Sequence, residues 1–213
     1  MKERSMSETP WLAKAKRLQA IASTGHSFCK DEFDRERYEE IAAIANAMLA
    51  DLADVPVERI RDLVSDFAKG YATPKIDVRA ALIENGKILL VRERSDGLWT
   101  LPGGFADVGL SASENVVKEV REEAGIAVSV CQLYSVRHKA KSSYEPDARD
   151  FYKMFFLCRR TGELTLTSGL ETSEVSFFER GRLPPLSRSR SIERDVELAF
   201  EFKDGRQTIA VID

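Results

Sequence analysis

Only two histidines and three cysteines occur in the 213 residues: His26, His138, Cys29, Cys131 and Cys158. The cysteines are odd in number, far apart and never in C-x-x-C spacing, which disfavours a disulfide framework and a thiolate metal centre. A reducing cytoplasm is the expected setting. No apolar run approaches the roughly 18 residues of a membrane-spanning helix. The N-terminal stretch MKERSMSETPW lacks the apolar segment of a secretory signal. Excess positive charge is missing as well, since 32 Lys and Arg stand against 35 Asp and Glu for a formal net charge of -3. Overall charge therefore does not draw this chain to nucleic acid. Internal repeats and low-complexity tracts are also absent. What remains is 43% hydrophobic and 31% charged, enough for a sizeable core and a small accessory domain.

The N-terminal third reads as helices. Leu12, Ala15, Leu18 and Ala22 recur near helical spacing over Trp11–Ala22, and Gly25 is placed to stop that helix. From Asp34 to Leu52 the rhythm is clearer, with Tyr38, Ile41, Ala42, Ala45, Met48, Leu49 and Leu52 on one face. A third helix is expected from Pro56 through Ile60, Leu63, Val64 and Phe67 to Gly70. Three such helices bury their apolar stripes poorly alone. Residues 8–70 are therefore expected to form a small helical domain that contributes to a homodimer, with an intrachain bundle as the alternative. The scarcity of a basic recognition face argues against a DNA-reading helix-turn-helix.

After the linker Tyr71–Pro74 the periodicity changes to two. Ile76, Val78, Ala80 and Leu82 alternate with Asp77, Arg79, Ala81 and Ile83, and Asn85-Gly86 signals a hairpin. Ile88–Val91, Val128–Val136, Phe151–Cys158 and Glu174–Phe178 are further strand candidates, and Ile192–Phe202 reads as a last helix. Strands interrupted by helices predict an α+β second domain over residues 75–203.

The most informative stretch is Gly103–Ile126, GGFADVGLSASENVVKEVREEAGI. Ser111 with Glu114 has capping-box spacing, and Gly125 is placed to end the helix. Val116, Val117 and Val120 form its apolar stripe. Glu119, Glu122 and Glu123, three and four residues apart, stack on one face. Three like charges repel unless a cation joins them, and hard carboxylate oxygens suit Mg²⁺ or Mn²⁺. Taken alone, the run reads first as a solvated helix face, since most charge runs are surface.

With its flanks, the stretch resembles the box of the Nudix family, G-x5-E-x7-R-E-U-x-E-E-x-G-U with U apolar. Gly104 fits the first glycine, and Glu119, Val120, Glu122, Glu123, Gly125 and Ile126 fit the end. Leu110 and Lys118 depart from it, standing where the pattern has Glu and Arg. Lys118 keeps the charge without the planar fork, and Glu114 and Glu122 are each four residues away. Together with the helical N-terminus, the stretches STGHSFCKDEFDRERYEEI and LETSEVSFFERGRLPPLS resemble the Nudix subfamily with a helical N-terminal domain that includes bacterial CDP-choline pyrophosphatases. In that subfamily both departures are familiar.

The resemblance implies an α/β/α sandwich with a mixed sheet. It also implies metal-dependent hydrolysis of a nucleoside diphosphate linked to a second group X, with CDP-choline favoured and ADP-ribose or another derivative as the alternative. A nucleotide-sensing module without catalysis is the competing class. The implied metal ligands are Glu119, Glu122, Glu123 and the Gly104 carbonyl. Glu123, Glu122, Glu171 and Glu174 are the candidate catalytic carboxylates, the last two standing open to a reading as solvated loop. Gly103, Arg79, Trp99, Arg137 and His138 are candidate substrate contacts. For Arg79 the alternative is an ion pair, for Trp99 a core position, and for His138 a solvated turn. The basic stretch Arg188–Arg194 could contact phosphate or an RNA backbone, though a solvated helix start is favoured. The polar loop Lys139–Asp150 is long enough to cover a site.

Overall fold

The computed structural model describes residues 9–58, 60 and 71–213. By contact density the chain divides into two units, residues 1–75 with 146–150, and residues 76–145 with 151–213.

In the first unit, α1 (Pro10–Phe28) and α2 (Glu32–Ala53) pack along each other. Thr9 caps α1 by accepting from the Leu12 N–H at 3.2 Å, and Asp31 caps α2 by accepting from the Asp34 N–H at 3.1 Å. Asp54, left-handed at φ 51°, closes α2. Ala15, Leu49, Ala50 and Ile60 form the core, with Leu12, Met48, Val55 and Val57 packed against it. The expected stop at Gly25 is corrected, because α1 runs through it. A Cβ at Gly25 would lie 2.2 Å from the Tyr38 ring. The glycine admits an aromatic ring from α2 rather than breaking α1. Beyond residue 60 the expected third helix lies outside the described residues.

The second unit is α+β. Its strands are β1 (Lys75–Glu84, whose first residue belongs to the other unit), β2 (Lys87–Glu93), β3 (Trp99–Thr100), β4 (Val128–His138), β5 (Phe151–Arg160), β6 (Thr172–Glu179) and β7 (Val211–Ile212). They form one sheet in the order β3-β2-β1-β5-β4-β7, with β6 also on β2. The β4–β7 pairing is parallel and β2 pairs antiparallel with β1, β3 and β6, so the sheet is mixed. Asn85 and Gly86 both take positive φ, 50° and 74°, in the β1–β2 turn, as the Asn-Gly pair predicts.

Alternation along β1 builds both faces. Val78, Ala80 and Leu82, with Leu89 and Val91, pack against Val116, Val120 and Ala124 of α3 (Ala112–Ala124). Ala81 and Ile83, with Ile88 and Leu90, pack against Val196, Ala199, Phe200 and Phe202 of α4 (Glu193–Lys203). The result is an α/β/α sandwich with a core on each side of the sheet. Two short strands, β3 and β7, are too brief to carry a periodic signal. Among the described residues no helix is long and apolar enough to cross a membrane.

Candidate active site

Helix α3 is fixed at both ends by its own sequence. The Ser111 hydroxyl accepts from the Glu114 N–H at 3.2 Å, and the Glu114 carboxylate accepts from the Ser111 N–H at 2.8 Å. Asn115, fully buried, ties the preceding loop down. It accepts from the Asp107 N–H at 2.8 Å and donates to the Ser111 and Leu110 carbonyls at 3.0 and 3.3 Å. Gly125, left-handed at φ 71°, ends the helix.

The apolar stripe anchors α3 to the sheet and leaves the three glutamates in different surroundings. Glu122 is exposed and pairs with Lys118 at 2.9 Å, while Lys118 also reaches Asp107 at 3.3 Å. Glu114 is occupied in the cap, so of the two partners in reach Lys118 takes Glu122. Glu119 is half-buried against Gly104, where any Cβ would stand 3.1 Å from its carboxylate. Glu123 is buried and accepts from the Gly103 N–H at 2.8 Å. Gly103 has φ 143°, and a Cβ there would lie 2.0 Å from the Val78 carbonyl oxygen, so only glycine brings this N–H to Glu123. The Gly104 carbonyl accepts from the Val78 N–H at 2.8 Å, which leaves its second lone pair for another partner.

Burial pushes the Glu123 carboxyl up from its ordinary 4.5 to about 8. Arg79 and the Gly103 N–H oppose the rise, and Glu119 and Glu93 add to it. Burial likewise raises Glu119, with Glu122 and Glu171 contributing against Lys118 and Arg79.

Arg79 is 4% exposed. Its guanidinium grips Asp77 at 3.0 and 2.8 Å and donates to the Leu101 carbonyl at 3.1 Å. Lys153, also buried, donates to Asp77 at 2.7 Å. Burial alone would raise Asp77, but the two cations override it and hold it at about 2. The ion-pair alternative therefore describes Arg79, with the pair in the interior. Its charge also acts on Glu123, and its fork is engaged by Asp77 and the Leu101 carbonyl.

The structure separates the two outer carboxylates. Thr172 donates to the Glu123 carbonyl at 2.9 Å, and the Gly169 N–H donates to Thr172 at 2.8 Å. This docks the loop before β6 on the end of α3 and brings exposed Glu171 into electrostatic range of Glu119 and Glu93. Glu174 instead pairs with Arg92 at 2.6 Å on the neighbouring strand. Trp99 is half-buried, edge-on to Phe178 at 4.7 Å between ring centres, and packs against the core on the sheet face opposite α3. Arg137 and His138 end β4, where Asp213 faces the Arg137 guanidinium at 3.7 Å and accepts from the His138 backbone N–H. The loop after β4 is anchored by Tyr144, which is buried and donates to Asp195 at 2.7 Å.

Sequence reasoning missed Glu93. It is buried at the end of β2, with its carboxyl raised by burial against the pull of Arg190 and Arg79. A glutamate closing the apolar run of KILLVRE was its one visible signal.

Among the described residues no three His, Cys, Asp or Glu side chains already converge on one point. Glu122 is turned to Lys118 and Glu123 to Gly103. The donors nonetheless suit a hard divalent cation. They are all oxygen and they project from one helix, and burial, the main reason the Glu119 and Glu123 carboxyls are raised, makes their ionised forms costly until a cation joins them.

The family assignment rests on this box and its sandwich. Residues 73–197 match the model of the NUDIX domain, and residues 9–64 match a UDP-X-like, N-terminal oligomerisation domain. The chain belongs to the Nudix hydrolase family, whose members generally use divalent metals. It is 45% identical over 195 residues to YjhB of Bacillus subtilis strain 168, carried as a candidate ADP-ribose pyrophosphatase, covering 92% of this chain and 93% of that one. A crystal structure of a UDP-X diphosphatase is similar at 33% identity and TM-score 0.62, covering 95% of this chain and 98% of the other. An ADP-ribose pyrophosphatase from Streptococcus suis aligns at 39% identity and TM-score 0.59, over 66% of this chain and all 100% of its own.

Proposed function

We propose that this chain is a divalent-metal-dependent pyrophosphohydrolase acting on a nucleoside diphosphate linked to a group X. Water adds to one phosphorus, the P–O–P bond breaks, and a nucleoside monophosphate and phospho-X leave. The observation that carries this reading is the pairing of buried Glu123 with the Gly103 N–H, next to Glu119 under Gly104. It joins the two halves of the box into one oxygen-rich site.

Glu119, Glu122 and Glu123, with the free lone pair of the Gly104 carbonyl, would hold Mg²⁺ or Mn²⁺. Such an ion, when bound, neutralises phosphate charge and lowers the pKa of water. Glu171 stands outside the helix, is exposed and forms no ion pair among the described residues, which suits it to take the proton of the attacking water. Arg79 keeps Glu123 in place through charge, and Gly103 fixes its carboxylate by hydrogen bond. Glu174 is the weaker base because Arg92 already holds it.

Likeness over nearly the whole chain to a candidate ADP-ribose pyrophosphatase puts ADP-ribose beside CDP-choline as the first substrates to test. UDP-linked compounds follow from the solved UDP-X diphosphatase. We further propose a homodimer through the N-terminal helices. The match to an oligomerisation domain supports it, as do Trp11, Phe28 and Phe33, which are 61, 65 and 70% exposed in the single chain.

The test is incubation with Mg²⁺ and a panel of ADP-ribose, CDP-choline, UDP-sugars and dinucleoside polyphosphates, with Glu123→Gln in parallel and products identified by mass. A nucleoside monophosphate plus phospho-X, lost in the variant, is expected. Nucleotide binding without turnover of any member would move the reading to a sensing module.

A further inference from the structure

The turn Ser187–Ser191, just before α4, lies outside the carboxylate cluster but is tied to the chain that forms it. Ser187 and Ser191 are buried. The Ser187 N–H donates to the Trp99 carbonyl at 2.8 Å, and the Ser191 hydroxyl contacts the Thr100 hydroxyl at 2.9 Å and accepts from the Leu101 N–H at 3.3 Å. Strand β3 is only two residues long, and Leu101 links it to Pro102–Gly104. Beyond β3 the Pro102 and Gly104 carbonyls accept from the Ala80 and Val78 N–H groups of β1 at 2.8 Å each, and the turn braces the same segment from its other side.

Arg190 completes the arrangement. Its Nε lies 3.2 Å from the Glu93 carboxylate, and its terminal nitrogens donate to Asp96 at 3.0 Å and to the Ser95 hydroxyl at 3.1 Å. Glu93 is 5% exposed. A buried carboxylate stripped of its partner is strongly disfavoured and seeks another cation. The nearby alternatives are Arg79, which faces both Glu93 and Glu123, and any metal held by α3.

We propose that Arg190 is a positioning residue for the reaction: it holds Glu93 and the β2–β3 hairpin so that Glu93 does not compete with Glu123 for Arg79 or for the metal. The inference rests on the reading of Glu119–Glu123 as the reaction centre. An arginine suits the task because one planar fork satisfies Glu93, Asp96 and Ser95 together, which a lysine cannot do.

The experiment compares the full chain with Arg190→Met, Arg190→Lys and the double variant Arg190→Met/Glu93→Gln. Mn²⁺ affinity is read by electron paramagnetic resonance without nucleotide. Then kcat and KM are measured on whichever panel nucleotide the wild type cleaves, with melting temperature alongside. Arg190→Met is expected to lower kcat by about 10-fold or more with KM little changed, and to alter Mn²⁺ affinity. Glu93→Gln in that background should restore most of both, since it removes the stranded charge, and Arg190→Lys should fall between. A lower melting temperature with kcat and Mn²⁺ affinity unchanged would overturn the inference, as would a double variant no better than Arg190→Met. Wild-type protein that neither binds Mn²⁺ nor cleaves any nucleotide would sink the proposed function instead.

Discussion

Replacing Glu123 by Gln should make the metal-free protein more stable at pH 8 and change it little at pH 4.5. Glu123 is buried, and burial is the main reason its carboxyl titrates near 8 when folded instead of near 4.5. Below about 4.5 the group is protonated in both the folded and unfolded states and favours neither. Between 4.5 and 8 the unfolded chain gives up its proton while the folded one keeps it. The unfolded state then binds fewer protons, so stability falls as pH rises. Above 8 both forms are ionised and the loss is complete. At about 1.4 kcal/mol per pH unit, this window corresponds to a ceiling of roughly 5 kcal/mol. Partial solvation of the site on local opening brings the expected loss to about 3 kcal/mol.

The assay is thermal or urea unfolding in EDTA from pH 4.5 to 8.5, for wild type and Glu123→Gln. The quantity of interest is the difference between them. Asp195, which burial raises to about 6, adds a slope of the same sign to both proteins and cancels. The wild type should lose about 5–10 °C of melting temperature relative to the variant over this range. Mg²⁺ should restore it, and more strongly at high pH, because binding requires the carboxylate form. Parallel curves for the two proteins in EDTA would refute the argument that burial keeps the Glu123 carboxyl protonated in the folded protein.

Gly103→Ala should abolish activity and cost about 2–4 kcal/mol, because a Cβ would lie 2.0 Å from the Val78 carbonyl at a φ of 143°. Urea unfolding and the mass-detected assay together check it, and an active, equally stable variant would contradict it. Asp77→Ala should cost about 3–5 kcal/mol by leaving Arg79 and Lys153 buried without their shared carboxylate. Asp77→Asn, which keeps the shape and some hydrogen bonding, should lie between, and urea unfolding at pH 7 reads the order.

What could be read from the sequence was whatever is encoded within a few residues. The capping box of Ser111 and Glu114, the Gly125 stop and the Asn85-Gly86 turn act over four residues or fewer, and each stands where its spacing placed it. Alternation along β1 likewise assigned Val78, Ala80 and Leu82 to one face and Ala81 and Ile83 to the other. Gly25 could not be read this way. The same residue stops a helix when it is left-handed and passes through one when a neighbour needs the space, and that neighbour, Tyr38, lies on another helix. The candidate site divides along the same line. Glu119, Glu122 and Glu123 announce themselves because one helix carries all three. Glu93, Lys153 and Arg190 carry at most an ambiguous local mark, since each takes its environment from a strand or turn distant in sequence. A glutamate ending KILLVRE looks like a strand terminus until Arg190 arrives beside it, and Arg190 in SRSRS looks like a solvated charge until Glu93 does. Neither residue can be interpreted without the other, which is why their coupling should emerge from a double variant and not from either single change.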